Sequence, residues 1–131
     1  MKETIGWIGV GSMGHRMSRH LVEAGYPVVV ADAVSTERAP KGATVANSNA
    51  ELARQADIII LSLPDGNVSQ AVAKEIAAVS PRRVKTVIDT STIGIKAAEA
   101  VASLLAAADI AFVDAPVSGG TAGADKATLA F

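Results

Sequence analysis

The ten residues Ile5 to Gly14 constrain the fold of this chain more than any other stretch. Ile5-Gly6-Trp7-Ile8 reads as a short apolar strand, and Gly9, Gly11 and Gly14 follow it at G-x-G-x-x-G spacing before a helical pattern. Each glycine has its own physical use. Gly9 allows a tight turn out of the strand, Gly11 lets backbone approach a bulky anion, and Gly14 lets the new helix pack closely. The N–H groups at such a helix start, with the helix dipole behind them, make an anion site.

The residues that follow give the turn its context. Arg16 to Glu23 has helical spacing, with Met13, Met17, Leu21 and Ala24 on one face and Arg16, Arg19, His20 and Glu23 largely on the other. Gly25 suits the position that ends a helix. Pro27 to Ala31 is a β-branched apolar run, as in a strand buried on both faces. Asp32 then stands where a carboxylate accepts from both hydroxyls of an adenosine ribose. Strand, glycine turn, helix, strand and terminal acid form one βαβ unit, which reads as a dinucleotide site.

The alternation continues down the chain. Ala33 to Ala43 reads as a surface loop or short helix, and Thr44 to Ala46 as a brief strand. Ser48-Asn49-Ala50-Glu51 is a capping box that opens a helix to about Gln55. Strands are expected at Ile58 to Leu61, Lys85 to Ile88 and Ile110 to Val113, and helices from Asn67 to before Pro81 and from Ile95 to Ala107. Thr128 to Phe131 look like the start of another strand. This pattern predicts an α/β fold, a Rossmann-type doubly wound parallel sheet with helices on both faces. Polar residues gather just after the strands, at Gly9 to Gly14, Asp32, Ser62 to Gly66, Asp89 to Thr92 and Asp114 to Gly120. In such a sheet these ends share one edge, where ligands lie at the switch in strand order.

Composition excludes other classes. Of the 131 residues, 50% are hydrophobic and only 3% aromatic, which suits parallel strands under alanine-rich helices. The formal net charge of −1 gives no sign of a nucleic-acid or anionic-membrane partner. With no cysteine there are no disulfides or thiolate metal sites, and a metal is not expected. The apolar runs fall well short of the ~20 residues of a membrane span. A soluble, cytoplasmic domain is the expectation.

Asp114-Ala115-Pro116-Val117-Ser118-Gly119-Gly120 makes the pattern specific. Together with the glycine turn, Ser62-Leu63-Pro64 and Asp89-Thr90-Ser91-Thr92, it resembles the N-terminal domain of the β-hydroxyacid dehydrogenases across nearly the whole chain. The resemblance implies an oxidoreductase that transfers hydride between NAD(P) and a small β-hydroxy acid of the 3-hydroxyisobutyrate or 2-hydroxy-3-oxopropionate type. It assigns the pyrophosphate to Gly9, Val10, Gly11, Ser12, Met13 and Gly14. Asp32 matches the acid that selects NAD, with Ala33 where NADP-preferring members carry arginine. Leu63, Pro64 and Val68 match the adenosine side, and Thr92 the nicotinamide ribose. Ser118, Gly119 and Gly120 match the segment that grips the substrate. The family's catalytic lysine has no counterpart, since Lys126 sits in the glycine-rich tail, and Ala127 stands where glycine is usual. Residues 1–131 are therefore expected to be the cofactor domain, with the helical dimerisation and catalytic domain outside this chain. Alone, it is expected to bind cofactor without turnover, and to form a homo-oligomer only through that second domain.

Other residues have plainer readings. His15 and His20 suit a solvated helix face, Trp7 core packing, and Asp89 the organisation of its own turn. Asp114 suits a cap or substrate loop rather than a general base. Arg82, Arg83 and Lys85 suit a solvated loop. Ser62 and Thr90 are balanced between capping and the site. The competing function is a stand-alone nucleotide sensor, and the Asp114 to Gly120 segment discriminates against it, because a sensor needs no substrate grip.

Overall fold

The computed structural model describes residues 2–131. Six short strands alternate with five helices: β1 (Ile5–Ile8), α1 (Ser12–Glu23), β2 (Val28–Ala31), β3 (Thr44–Val45), α2 (Asn49–Gln55), β4 (Ile58–Leu61), α3 (Gly66–Ala77), β5 (Thr86–Asp89), α4 (Gly94–Ala106), β6 (Ala111–Asp114) and α5 (Gly120–Lys126). The strands form one sheet in the order β3-β2-β1-β4-β5-β6. Every pairing is parallel. The doubly wound sheet expected from the sequence is therefore present. Ile8 pairs with both Ala31 and Leu61, Leu61 with Asp89, and Asp89 with Asp114. All these strands end level, so the polar segments after them leave from one edge. The order reverses at β1, whose end marks the crevice.

Alternating side chains divide the core between the two faces of the sheet. Ile5, Trp7, Val28 and Val30 meet Met17 of α1 and Ala124 of α5 on one side. Ile8, Val29, Ala31, Ile59, Leu61 and Val87 meet Leu52, Val72, Ile76, Val101 and Leu105 of α2 to α4 on the other. The α2 helix seats directly on Gly6, where a Cβ would come within 2.4 Å of Leu52 Cδ2. Leu52 is fully buried there, and burying a leucine side chain contributes about 1.5–3 kcal/mol.

Several local readings are refined. The Ser48 hydroxyl caps α2 by accepting from the Glu51 N–H at 3.0 Å, but the Glu51 carboxylate accepts from Asn47 N–H, one residue before the cap. The α3 helix begins at Gly66, one residue early, because Asp65 caps it by accepting from Val68 N–H at 3.0 Å. Ala33 to Ala43 is an irregular loop of turns, without a helix. Within the glycine-rich tail, α5 occupies Gly120 to Lys126, a helix not expected from the sequence. Thr128 to Phe131 form no strand, only an isolated antiparallel bridge from Ala130 to Ser118.

The basic run is also more than a solvated loop. Arg82 donates to the carbonyls of Val79, at 2.9 Å, and of Ala108, tying the end of α3 to the end of α4. Arg83 Nε donates to Asp57 Oδ1 at 2.7 Å. Asp57 Oδ2 accepts from the Thr4 N–H at 2.8 Å. The Arg83 hydrogen bond, then that of Thr4, holds the Asp57 carboxyl below its ordinary value of 3.8 against the opposing effect of burial. These ties lie at the edge opposite the crevice. Among the described residues no helix is long and apolar enough to cross a membrane.

Candidate cofactor site

A cleft of about 1020 Å³ opens at the carboxyl ends of the strands. Its floor is the turn from Gly9 to Gly14. Gly9 has φ +102°, and a Cβ there would lie 2.1 Å from the Ser62 carbonyl oxygen. At Gly14 a Cβ would lie 1.7 Å from the Gly9 carbonyl oxygen, so the turn and the helix it feeds are in direct contact. Trp7 is 2% exposed and donates Nε1–H to that same oxygen at 3.0 Å. The indole is thus both core and a clamp on the turn. Gly11 differs, because a Cβ there meets nothing within 4 Å. It caps α1 with no side-chain acceptor and no acid in the first turn, leaving that helix start to an external anion. A bare backbone facing open space at a helix start fits a pyrophosphate.

Asp32 closes the next wall. Its Oδ2 accepts from Val10 N–H at 2.8 Å, and its Oδ1 from Val34 N–H at 2.8 Å and Ser35 N–H at 3.2 Å. The carboxylate therefore ties the turn after β1 to the loop after β2. Two carboxylate oxygens offer about four acceptor sites, so three N–H bonds leave room for a hydroxyl from the cleft. Val10 has its side chain in the core, at 2% exposure, and contributes backbone to this junction.

The opposite wall carries Ser62, Leu63, Pro64 and Val68, and Thr90, Ser91 and Thr92 continue it. Leu63 N–H donates to Ser91 Oγ at 2.7 Å, and Thr90 Oγ1 donates to the Leu61 carbonyl at 2.7 Å. Thr90 and Ser91 are braces between the ends of β4 and β5. Asp89 organises its turn as expected, accepting from Ser91 N–H at 2.9 Å through Oδ1. Its Oδ2 is buried without a hydrogen-bond partner among the described residues.

Of the segment expected to grip a substrate, Gly120 lines the cleft beside Val117, whereas Ser118 and Gly119 are exposed alongside without forming its wall. Gly119 and Gly120 have φ of 134° and 61°, backbone that favours glycine. The bridge to Ala130 fixes the Ser118 backbone.

Sequence reasoning missed the rim beyond Asp32, built from Val34, Ser35, Glu37 and Arg38 with Asn49 of α2. One local signal was available, since Ser35 Oγ accepts from Glu37 N–H at 3.1 Å, a serine turn. The histidines are not simply solvated. His15 Nδ1 lies 2.8 Å from the Arg38 carbonyl, and His20 Nε2 lies 2.7 Å from that of Ala124. Each is a strut between α1 and a neighbouring segment.

Residues 4–131 match the family described as the NAD binding domain of 6-phosphogluconate dehydrogenase. The chain is 36% identical over 132 residues to the mitochondrial 3-hydroxyisobutyrate dehydrogenase of Drosophila melanogaster, an alignment spanning 98% of this chain and 41% of that protein. The solved 3-hydroxyisobutyrate dehydrogenase of Mycobacterium tuberculosis with L-serine superposes with a TM-score of 0.91 at 38% identity, over 100% of this chain and 46% of that one. A further solved structure, Psf3 in complex with NADP+ and 2-OPP, has a TM-score of 0.79 at 28% identity, over 95% of this chain and 46% of that one. The chain thus spans less than half the length of these relatives.

Proposed function

This chain belongs to the family of the NAD binding domain of 6-phosphogluconate dehydrogenase, and on that premise we propose that it is the cofactor half of a dehydrogenase acting on a small β-hydroxy acid. The observation that carries this reading is the convergence on one cleft of a bare helix start at Gly11 and the Asp32 carboxylate, joined by the 2.8 Å bond from Val10. The nicotinamide, when bound, supplies the hydride chemistry. The chain's own part is to hold and orient.

In the turn from Gly9 to Gly14, the backbone N–H groups of Gly11, Ser12, Met13 and Gly14 take the pyrophosphate, while those of Gly9 and Val10 are engaged by Ala31 and Asp32 and hold the turn's shape. Asp32 takes the adenosine ribose, and Leu63, Pro64 and Val68 cover the adenosine side. Thr92 faces the nicotinamide ribose. Ser118, Gly119 and Gly120 take the substrate carboxylate and hydroxyl. NAD is preferred to NADP, because the Asp32 carboxylate repels a 2′-phosphate and Ala33 supplies no cation beside it. The 3-hydroxyisobutyrate dehydrogenases among the relatives support the substrate class. No lysine of this chain takes the proton-transfer role, so the chain alone binds without turnover.

Titration with NAD and NADP, followed by Trp7 fluorescence and by calorimetry, tests the reading. Saturable binding of NAD that is lost in Asp32→Ala, and weaker binding of NADP, are the expected results. Failure of both nucleotides to bind at millimolar concentration overturns it.

A further inference from the structure

Arg16 touches two segments that the cleft's occupants would meet. Its guanidinium NH1 donates to the Ser12 carbonyl at 2.7 Å and to Ser12 Oγ at 3.0 Å. Its Nε lies 3.1 Å from Asp125 Oδ1. Ser12 is the first residue of α1, in the anion-binding turn. Asp125 belongs to α5, which begins at Gly120 in the cleft wall. Arg19 adds a second tie to α5, 3.6 Å from Asp125 Oδ1 and donating to the Asp125 carbonyl at 3.3 Å. Arg19 does not reach Ser12 among the hydrogen bonds of the described residues, so the link between the two segments is Arg16.

We propose that Arg16 is a positioning residue whose charge is shared between the pyrophosphate turn and Asp125, so that dinucleotide binding at the turn loosens α5 and with it the substrate segment. The inference rests on the cofactor reading above. An anion at the start of α1 and the Asp125 carboxylate compete for one cation. The pair is half-exposed, with 29% of the Arg16 and 47% of the Asp125 side chain accessible, and ion pairs of that kind are weak enough to be given up. Planar guanidinium donors serve two acceptors at once, which a lysine ammonium at this place would do less well. The coupling is reciprocal, so loosening α5 also favours the nucleotide.

The test is a double-mutant cycle on this chain with NAD as the probe, read by calorimetry at low and high salt. Asp125→Asn frees Arg16 and tightens NAD binding roughly two- to fivefold at low salt, a gain that fades as salt is raised. Arg16→Gln weakens binding by a similar factor, and Asp125→Asn added to it changes nothing further. In hydrogen exchange, α5 amides exchange faster with NAD bound than without, and this difference vanishes in Arg16→Gln. If NAD binds but its affinity ignores Asp125→Asn, the clasp is structural only and the inference is overturned. If wild-type chain binds no NAD, the cofactor reading falls, and this inference falls with it.

Discussion

Alanine at Gly14 and alanine at Gly11 are the same chemical change three residues apart, and the geometry separates their effects. At Gly14 the new methyl lies 1.7 Å from the Gly9 carbonyl oxygen and 2.9 Å from both the Gly9 carbonyl carbon and Trp7 Nε1. Ordinary contacts sit near 3.5 Å, so the turn and α1 must part by more than an ångström. Neither obstacle is a flexible side-chain end. Overpacking of this kind costs about 1–3 kcal/mol. The Trp7 to Gly9 hydrogen bond occupies the same place, and leaving a buried indole N–H without a partner adds about 1–3 kcal/mol. The sum, about 2–6 kcal/mol, is a large share of a total stability of about 5–15 kcal/mol. A chain of this size should then melt roughly 8–20 °C lower. At Gly11 the methyl meets nothing within 4 Å and φ is −73°. Alanine there restricts the unfolded chain by about 0.4–1 kcal/mol, a gain offset by its poorer fit than glycine at the N-cap of α1, and it stands where the proposed pyrophosphate approaches. Gly11→Ala is thus expected to melt close to wild type while losing at least about tenfold in NAD affinity, the equivalent of ~1.4 kcal/mol. Scanning calorimetry and NAD titration of the two variants decide the matter. A Gly14→Ala protein melting within about 2 °C of wild type, or a Gly11→Ala protein binding NAD normally, refutes the reasoning.

Three further outcomes follow from the hydrogen bonds. Asp32→Ala leaves the N–H groups of Val10, Val34 and Ser35 without their acceptor, so urea denaturation should show a loss of about 1–3 kcal/mol alongside lost nucleotide binding; a variant that loses binding at unchanged stability contradicts the double role. Asp57→Asn should destabilise by up to about 1 kcal/mol at neutral pH. Because the Asp57 carboxyl titrates below its ordinary value in the folded chain, its contribution is present above the unfolded value and disappears as pH falls through the folded one, so a gap that persists in strong acid would rule this out. Ser48→Ala removes the acceptor for Glu51 N–H and should lower the urea midpoint by about 1 kcal/mol equivalent at constant m-value; a changed m-value would mean that more than a cap was lost.

Much of the fold was legible because the signals were local. Four-residue apolar runs between helical patterns place β1, β2 and β4, and the parallel sheet follows from the alternation of strands with helices. The glycine turn and Asp32 were legible for the same reason. The helix α5 was not, because two of its seven residues are glycine, a poor helix former. It is held by Arg16, Arg19 and His20 of α1, partners more than a hundred positions away. The structural work of Arg82 was hidden likewise, since a carbonyl acceptor at Ala108 leaves no mark on composition. Asp32 shows the limit within the site itself. Its position after β2 is what the ribose proposal rests on, but the three N–H groups it gathers depend on how two loops fold around it.

The place of β1 in the sheet has a consequence for synthesis. β1 is made before both of its neighbours in the sheet, β2 and β4, so both its edges are open when it leaves the ribosome. One edge closes when Ala31 arrives to accept from Gly9 N–H at 3.0 Å; the other waits until Ser62 donates to the Ile8 carbonyl at 2.9 Å. The glycine turn is thus translated well before the strand that completes its seat. A nascent chain halted between Val45 and Ile58 carries the complete glycine motif on an unpaired apolar edge, open to other chains rather than to nucleotide. Competence arrives with the fourth strand.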